Sequence, residues 1–247
     1  MNTIYKAYMV NKTQVETPRA RRRAANLERI LEAAMKLIIE GGLDACSIHK
    51  VAAEVDYSPA ALYRYFDSKD ALLSAVVVRV LRELETDLRN AAESVSADHP
   101  LATIRAVCLA YARFASLAPH RFGLLSLMMV HPGQVFHEED GARPAIRAML
   151  SALTPLTENL ERNAQAQRLH SGDASKRALI LFAGIQGILQ LRKQSLLAPE
   201  VIDLESLLNS QLRTLLIGWG ADPTSIDDSF EHVSPLQLPP STWNSTS

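Results

Sequence analysis

Cysteine, aromatic residues and long apolar runs are scarce in this 247-residue chain. The two cysteines, Cys46 and Cys108, lack the spacing of metal ligands and fit a reducing compartment, as small buried residues or, alternatively, as redox sensors. The chain has no apolar run of about eighteen residues and no cleavable signal pattern at its N-terminus. We therefore expect a cytoplasmic protein that has no membrane partner.

An overall positive charge, common in proteins that bind nucleic acid, is also missing, because 26 Lys and Arg face 27 Asp and Glu. The distribution is uneven, however. Residues 1–25 hold six basic residues and one acidic residue, so their local charge is six minus one, or +5. We interpret residues 1–25 as a flexible basic arm that follows DNA phosphates or enters a minor groove; a merely solubilising tail is the alternative.

Signatures of enzyme chemistry are absent as well. The sequence has no paired catalytic carboxylates, no nucleophile with a neighbouring base and no glycine-rich phosphate loop. A metal site is conceivable only in residues 131–140, HPGQVFHEED, where Pro132 and Gly133 predict a loop rather than a rigid frame. We interpret this stretch as a charged loop and expect no metal, no cofactor and no catalysis. Its potential ligands are His131, His137, Glu138, Glu139 and Asp140.

The clearest positive signal is the segment SIHKVAAEVDYSPAALYRYFDSK, residues 47–69. Apolar residues at helical spacing after Ser47, a typical N-cap, predict one short helix. Ser58 followed by Pro59 predicts the start of a second helix, and Asp56 tolerates the left-handed backbone of a sharp turn between them. Two short helices joined in this way predict a helix-turn-helix, whose second helix reads DNA.

The wider segment from Arg22 to Val77 resembles the DNA-binding domain of the tetracycline-repressor (TetR) family of bacterial transcription regulators. The resemblance rests on ILEAAMKLIIEGG, the two short helices and LYRYFDSKDALL. It implies a homodimeric repressor that binds a palindromic operator and holds a small molecule in its C-terminal domain. The chain has Asp56 and Tyr57 where the family usually has glycine and valine. Lys50 replaces a common acidic residue, so it is either a phosphate contact or a solvated lysine.

Predicted DNA contacts fall into two classes. Small residues and one guanidinium on the second helix are expected near base edges, whereas hydroxyl and cationic groups around it are expected on phosphate. The first class is Ala60, Ala61 and Arg64; Lys69 belongs to the second because it matches a family position that commonly contacts phosphate. The complete predicted set is Arg21, Arg22, Arg23, Ser47, His49, Lys50, Ser58, Ala60, Ala61, Tyr63, Arg64 and Lys69.

The rest of the chain keeps a helical period, and no segment alternates like a strand. The predicted fold class is therefore all-α, with a three-helix DNA-binding domain over residues 26–70 and a larger ligand-binding and dimerisation domain over 71–220. Residues 221–247 are polar and proline-rich and are predicted to be a disordered tail. Outside the helix-turn-helix, helices are predicted at 27–40, from about 67 to beyond 88, and at 101–117, 121–130, 142–168, 174–195 and 201–219.

Two more sites are predicted in the C-terminal domain. A pocket for an unidentified inducer or co-repressor, apolar or amphipathic, is expected among aromatic and methionine side chains, although such residues also fill ordinary cores. Its candidates are Tyr111, Phe114, Phe122, Leu125, Met128, Met129, Phe182 and Gln186. A homodimer interface is expected on the last two helices, with core packing inside one subunit as the alternative. Its candidates are Phe182, Ile185, Ile188, Leu189, Leu204, Leu208, Leu212, Leu215 and Trp219.

The competing hypothesis for the whole chain is a helical small-molecule carrier or enzyme that retains the helix-turn-helix only as a fold. Salt dependence separates the two hypotheses, because a DNA reader loses affinity for duplex steeply with salt and a carrier does not bind duplex at all.

Overall fold

The computed structural model of the chain describes residues 17–96, 98–137, 139–233 and 238–241. These residues contain helices and no strand, so the all-α fold class is confirmed. The helices are α1 Pro18–Gly41, a 3-10 helix Leu43–Ala45, α2 Ile48–Glu54, α3 Pro59–Tyr63, α4 Lys69–Glu93, α5 Pro100–Leu117, α6 Pro119–Val130, α7 Pro132–Val135, α8 Glu139–Ala152, α9 Thr154–Gln165, α10 Ala174–Gln190, α11 Arg192–Ser195, α12 Leu204–Gly218 and α13 Pro223–Glu231.

The chain divides into two compact units. One contains the described residues up to Arg79 together with Leu127–Ile146, and the other contains Val80–Ser126 and the described residues from Arg147 onward. The predicted boundary at residue 70 differs from this division, because α4 continues as one unbroken helix from Lys69 to Glu93. Among the described residues no single helix is long and apolar enough to cross a membrane; α5 and α6 pass that test only as a pair, bent by 109°.

Helix α1 corrects the prediction of a flexible arm over residues 1–25. It begins at Pro18, nine residues before the predicted start at 27, and Thr17 caps it by accepting a hydrogen bond of 3.2 Å from the main-chain N–H of Ala20. Thr followed by Pro is a typical N-cap and first helical residue, and the basic composition hid this start signal. Residues 1–16 of the predicted arm lie outside the described residues.

The N-terminal unit is built around the inner faces of α1 to α4. Ile30 of α1, Val51 of α2 and Leu62 of α3 are fully buried, and Leu72 of α4 joins them. Burial of side chains of this size stabilises the folded state by about 1.5–3 kcal/mol each. This shared core fixes the short helices α2 and α3, which are too short to be stable alone.

The C-terminal unit is centred on α5, which is buried along its whole face from Leu101 to Tyr111. Helix α9 packs against both α5 and α10, and α10 packs against α12. Gly184 lies at the last of these contacts, where an added Cβ would require the side chain of Gln211 to move.

Residues 223–231, part of the predicted disordered tail, form helix α13. Asp222 caps it by accepting a hydrogen bond of 2.8 Å from the N–H of Ser225, and Pro223 is its first residue. Ile226 is fully buried and Val233 nearly so. The prediction of disorder was wrong for this stretch because it weighed polar composition above the apolar residues that anchor the helix; residues 234–237 and 242–247 lie outside the described residues.

Three predicted segments are subdivided by the structure. The predicted helix at 142–168 is two helices, α8 and α9, because the helix is interrupted at Leu153 and Pro155 lies in the first turn of α9. The predicted helix at 174–195 breaks at Leu191. The predicted charged loop at 131–140 contains α7 and the start of α8, and its His137 is hydrogen-bonded to Asp70.

Candidate nucleic-acid interface

Helices α2 and α3 each begin at a serine. The main-chain N–H of Lys50 donates to Oγ of Ser47 at 3.3 Å, and the N–H of Ala61 donates to Oγ of Ser58 at 3.2 Å. Each bond satisfies an amide that has no partner within its helix, and such caps stabilise a helix by about 1 kcal/mol. Ser47 and Ser58 therefore define where both helices start.

The turn between α2 and α3 depends on Asp56. Its φ is 58°, in the left-handed region, and the following N–H of Tyr57 donates back to the carbonyl of Ala52 at 2.8 Å. Aspartate tolerates this backbone better than most residues other than glycine. The turn reverses the chain so that Leu62 and Phe66 are buried while the opposite face of α3 points outward.

Most of the predicted DNA contacts are exposed, on α1, on α2 and on or beside the outward face of α3. Tyr63 is 49% exposed, and Ala61 and Lys69 are half-buried. None of the basic residues of the predicted set forms a salt bridge within the described part of the chain. The exposed members of the predicted set are Arg21, Arg22, Arg23, His49, Lys50, Ser58, Ala60, Tyr63 and Arg64.

An arginine cleft joins the start of α1 to the end of α3. Its volume is about 390 Å³, and it is lined by Arg19, Arg22, Arg23 and Asn26 of α1 and by Arg64 and Tyr65. No carboxylate lines it, and none of its four guanidinium groups has an ion-pair partner among the described residues. Four uncompensated cations around one cleft attract phosphate, and guanidinium is the side chain best suited to bind it with two hydrogen bonds.

Acidic residues of α1 are paired elsewhere in the same unit. Nε of Arg79, on α4, lies 3.1 Å from Oε2 of Glu28, and its Nη2 donates to Oε2 of Glu32 at 2.6 Å. Lys36 pairs with Glu54 of α2 at 2.5 Å, on the surface. These pairs hold α1 against α2 and α4 and leave the arginines at the start of α1 without a compensating charge.

A second group of predicted residues forms an aromatic cluster in the C-terminal unit. The ring of Tyr111 lies 5.4 Å from that of Phe182 and about 6 Å from those of Phe114 and Phe122. Leu125 is buried in the same unit. Met128 and Met129, also predicted for the pocket, belong to the N-terminal unit.

Buried hydrogen bonds cross the aromatic cluster. The hydroxyl of Tyr111 donates to Oε1 of Gln186, whose Nε2 donates to Oγ of Ser126 at 2.8 Å. Burial raises the pKa of Tyr111 well above its usual value. The hydrogen bonds among Tyr111, Gln186 and Ser126 supply the few oriented polar groups that an apolar ligand site needs. Ser126 was not predicted, although it is the single hydroxyl within the apolar run of α6, from Phe122 to Val130.

Neither cysteine takes part in these sites. Cys46 is fully buried, and desolvation raises the pKa of its thiol to about 11, with Lys69 opposing the shift. Burial raises the pKa of Cys108 to about 12. Within the described residues, no three His, Cys, Asp or Glu side chains converge in a way that could hold a metal ion.

Known proteins are similar to this chain in sequence. A family model described as "Bacterial regulatory proteins, tetR family" matches residues 30–76. The HTH-type transcriptional regulator BetI of Brucella suis biovar 1 (strain 1330) is 31% identical over 144 residues, which are 58% of this chain and 71% of that protein. The chain belongs to the TetR family. It is a DNA-binding transcriptional regulator, as the sequence predicted.

Solved structures agree with this TetR-family fold. A protein of unknown function from Rhodococcus sp. RHA1 superposes with a TM-score of 0.63 at 24% identity, over 78% of this chain and 94% of that chain. SmeT, the repressor of the Stenotrophomonas maltophilia multidrug efflux pump SmeDEF, has a TM-score of 0.55 at 24% identity, over 78% of this chain and 89% of that chain. The likeness to these two structures therefore extends beyond the short segment that the family model matches.

Three residues of the arginine cleft, Arg19, Asn26 and Tyr65, were not among the predicted contact residues of this TetR-family protein. Arg19 and Asn26 share one face of α1 with Arg22 and Arg23, at positions i, i+3, i+4 and i+7. This spacing is a clear helical signal, which the interpretation as a flexible arm discarded. Tyr65 was assigned only to the inner face of the second helix, but it is half-buried and also lines the cleft.

Most residues predicted for the dimer interface face the core of their own subunit. Five of the nine candidates are buried within the subunit, and the other four are half-buried. The outer faces of α10 and α12 instead expose Ile180, Leu207 and Ile217. Both faces of each helix are apolar, and the choice of interface residues stays a prediction. The buried candidates are Phe182, Ile185, Leu189, Leu208 and Leu212; the half-buried ones are Ile188, Leu204, Leu215 and Trp219.

Proposed function

We propose that this TetR-family regulator is a homodimeric repressor whose two helix-turn-helix units bind an inverted-repeat operator under the control of a small ligand. The arginine cleft is the observation that carries the proposal. It unites Arg22 and Arg23 of α1 with Arg64 at the end of α3, so one phosphate group can bridge the helix that supports the reading helix and the reading helix itself.

Roles in DNA binding follow from position. Ala60 and Ala61 lie in the first turn of α3, where small side chains allow close approach to base edges, and Arg64 is proposed to extend this contact. Tyr63 and Lys69 are proposed to bind phosphate, together with the arginines of α1. Ser47, Ser58, His49 and Lys50 border the same surface and are proposed to add phosphate contacts.

The experiment is fluorescence anisotropy of duplex binding over a series of salt concentrations, for the unaltered protein and for Arg22→Gln. Removing one phosphate contact should reduce the slope of log K against log salt by about 0.9. Arg29→Gln is the matched control, because Arg29 is an exposed arginine of the same helix that does not line the cleft. Equal slopes for all three proteins would contradict the role of the cleft.

The base-reading role of Arg64 needs a comparison of two duplexes. Arg64→Ala should weaken binding to the operator by about 1–3 kcal/mol more than binding to random duplex, since direct readout adds about this much per base contact. Tyr63→Phe should weaken both duplexes alike. Equal losses on both duplexes for Arg64→Ala would assign Arg64 to phosphate only.

A homodimer is proposed from the apolar outer faces of α10 and α12. Ile180 of α10 is 50% exposed, and Leu207 and Ile217 of α12 are also exposed. A reader of an inverted repeat requires two-fold symmetry. Ile180→Lys should convert the dimer into a monomer in sedimentation experiments, whereas Leu150→Lys, at 49% exposure on α8, should not. A dimer that survives Ile180→Lys would contradict this interface.

Ligand control is proposed for the aromatic cluster around Tyr111. Rings supply apolar contacts, and the hydrogen bonds among Tyr111, Gln186 and Ser126 supply orientation for an apolar or amphipathic molecule. A screen of small aromatic compounds for operator release tests this site. Compounds that release the unaltered protein from the operator should not release a Gln186→Leu variant that still binds the operator. Equal release of both proteins from the operator would contradict the site.

A further inference from the structure

A separate cavity in the C-terminal unit combines unpaired guanidinium groups with buried amides. This α9 cavity lies between the end of α4, the first turns of α5 and helix α9, and its volume is about 390 Å³. That volume falls within the range of small-molecule sites. Its polar lining includes Arg89, Thr103, Asn159, Arg162, Asn163 and Arg168.

Two of the three arginines that line the α9 cavity form no ion pair with a described residue. Arg89 pairs with Glu85 at 3.7 Å and with Glu158 at 3.5 Å. Arg162 and Arg168, by contrast, have no ion-pair partner among the described residues, and both side chains are exposed. Three arginines and two glutamates, Glu93 and Glu158, line the cavity, and because Arg89 is paired with Glu85 and Glu158, its positive character comes from Arg162 and Arg168.

The first turn of α5 adds to this positive potential. Pro100 begins the helix and lines the cavity, and the preceding His99 makes no side-chain cap. Pro100 has no main-chain N–H, so this end of α5 contributes through the dipole of the 18-residue helix, which favours negative charge there.

A buried amide oxygen provides the second, independent feature. Asn163 lines the cavity and is 1% exposed; its Nδ2 donates to the carbonyls of Pro100 at 3.1 Å and Asn159 at 2.9 Å. These two bonds fix the amide orientation, yet Oδ1 has no hydrogen-bond partner within the described chain. Buried acceptors are seldom left unsatisfied, so this oxygen favours a ligand that carries a donor. The buried Thr103 also lines the cavity.

We propose that the α9 cavity binds a small anion with a hydroxyl group near its charge, either a hydroxycarboxylate or a phosphorylated polyol. Arg162 and Arg168 bind the carboxylate or phosphate, and the hydroxyl donates to Oδ1 of Asn163. This site involves none of the residues proposed for DNA binding or for the aromatic cluster, so its test is independent of the proposed function.

Isothermal titration calorimetry of the full chain tests the site with four probes: glycerate, glycerol 3-phosphate, inorganic phosphate and glycerol. We expect saturable binding of glycerate or glycerol 3-phosphate, and the tighter of the two identifies the anionic group. Inorganic phosphate should bind about tenfold more weakly because it offers no hydroxyl beside the charged group. Glycerol, which lacks the charge, should not bind.

Variants then locate the binding. Arg162→Gln and Arg168→Gln should each weaken binding by about tenfold, the usual effect of losing a charge-assisted hydrogen bond. Both side chains are exposed, so these variants should fold. Arg147→Gln, which removes an exposed arginine outside the cavity, should bind like the unaltered protein. The proposal is overturned if no probe binds at millimolar concentration, if inorganic phosphate or glycerol binds as tightly as the hydroxylated anions, or if the cavity variants match Arg147→Gln.

Discussion

Asp70 and His137 are joined by two hydrogen bonds although 67 residues separate them. The main-chain N–H of His137 donates to Oδ2 of Asp70 at 2.5 Å, and Nδ1 of its ring lies 2.9 Å from Oδ1. Asp70 is buried in the first turn of α4, the helix that follows the reading helix. The segment between α7 and α8 is thereby attached to the unit that carries the helix-turn-helix.

Replacing His137 with alanine should lower the free energy of unfolding by about 0.5–1.5 kcal/mol, because the ring contact is lost while the main-chain bond remains. Asp70→Ala should cost more, about 1–3 kcal/mol, because it removes the acceptors of both hydrogen bonds and a buried side chain that makes them. Urea unfolding measures both changes. His131→Ala, an exposed histidine in the same unit, should have little effect; a His137→Ala variant as stable as His131→Ala would show that the ring contact contributes nothing.

The turn at Asp56 should accept glycine. Its φ of 58° costs free energy for any residue with a Cβ, so Asp56→Gly should leave stability unchanged or raise it by up to about 1 kcal/mol. Asp56→Val should destabilise the protein by more than about 1 kcal/mol, since a β-branched residue is a marked outlier in this region. Thermal unfolding of both variants gives the comparison. A valine variant as stable as the glycine variant would mean that this backbone is not retained in solution.

Local signals predicted the helix-turn-helix well. Ser47, Ser58 and Pro59 start the two short helices as expected, and Asp56 adopts the left-handed turn. The termini were predicted poorly for the same reason in both cases: charge or polarity was taken as evidence against structure. At Thr17–Pro18 and at Asp222–Pro223, a capping residue followed by proline outweighs the polar composition.

Both cysteines should react slowly in the folded protein. Desolvation raises the pKa of Cys46 to about 11 and that of Cys108 to about 12, so neither thiolate is populated near neutral pH. A thiol reagent at pH 8 should label both residues slowly in the native protein and rapidly after denaturation. Rapid labelling of the native protein would contradict their burial and revive the redox-sensing alternative.

The same two thiols predict a loss of stability in alkali. Their pKa values are raised on folding from 9.0, so in the unfolded chain they lose protons at lower pH than in the native protein. The unfolded state is therefore favoured as pH rises from about 9 towards 11 or 12. Replacing both cysteines with alanine should make stability less dependent on pH in this window, as measured by urea unfolding at several pH values.

Arg105 should control the attachment of α13. Its buried guanidinium donates to the carbonyl of Phe230 at 2.7 Å and to that of Val233, and its Nε donates to Asn209 at 3.3 Å. Arg105→Met should destabilise the protein by at least about 2 kcal/mol, because these buried acceptors lose a charged donor.

Limited proteolysis gives the local measurement for the same variant. Chymotrypsin should cut after Phe230 faster in Arg105→Met than in the unaltered protein. Arg147→Met is the control, because Arg147 is an exposed arginine of the same unit. Equal cleavage in all three proteins would show that α13 is held by its apolar contacts alone, such as the burial of Ile226.

The sites were less predictable than the fold because they depend on which face of each helix turns inward. Leu208 and Leu212 are leucines at helical spacing, and the exposed face of α12 also carries apolar residues at helical spacing. The sequence alone does not show which of the two faces turns inward. The cavity beside Asn163 gave no sequence signal, because its lining comes from three separate helices. Arg22 and Arg23 were identified by charge, but their link to Arg64 required α1 to begin at Pro18.

Operator recognition can be measured by letting the purified protein select fragments of the host genome at moderate salt. We predict recovery of one inverted repeat whose half-sites are about one helical turn, or a multiple of it, apart. Ala60→Glu, which places a negative charge on the outer face of α3, should recover no such repeat. Recovery of fragments without a common sequence by the unaltered protein, or the same repeat by Ala60→Glu, would contradict sequence reading by this helix.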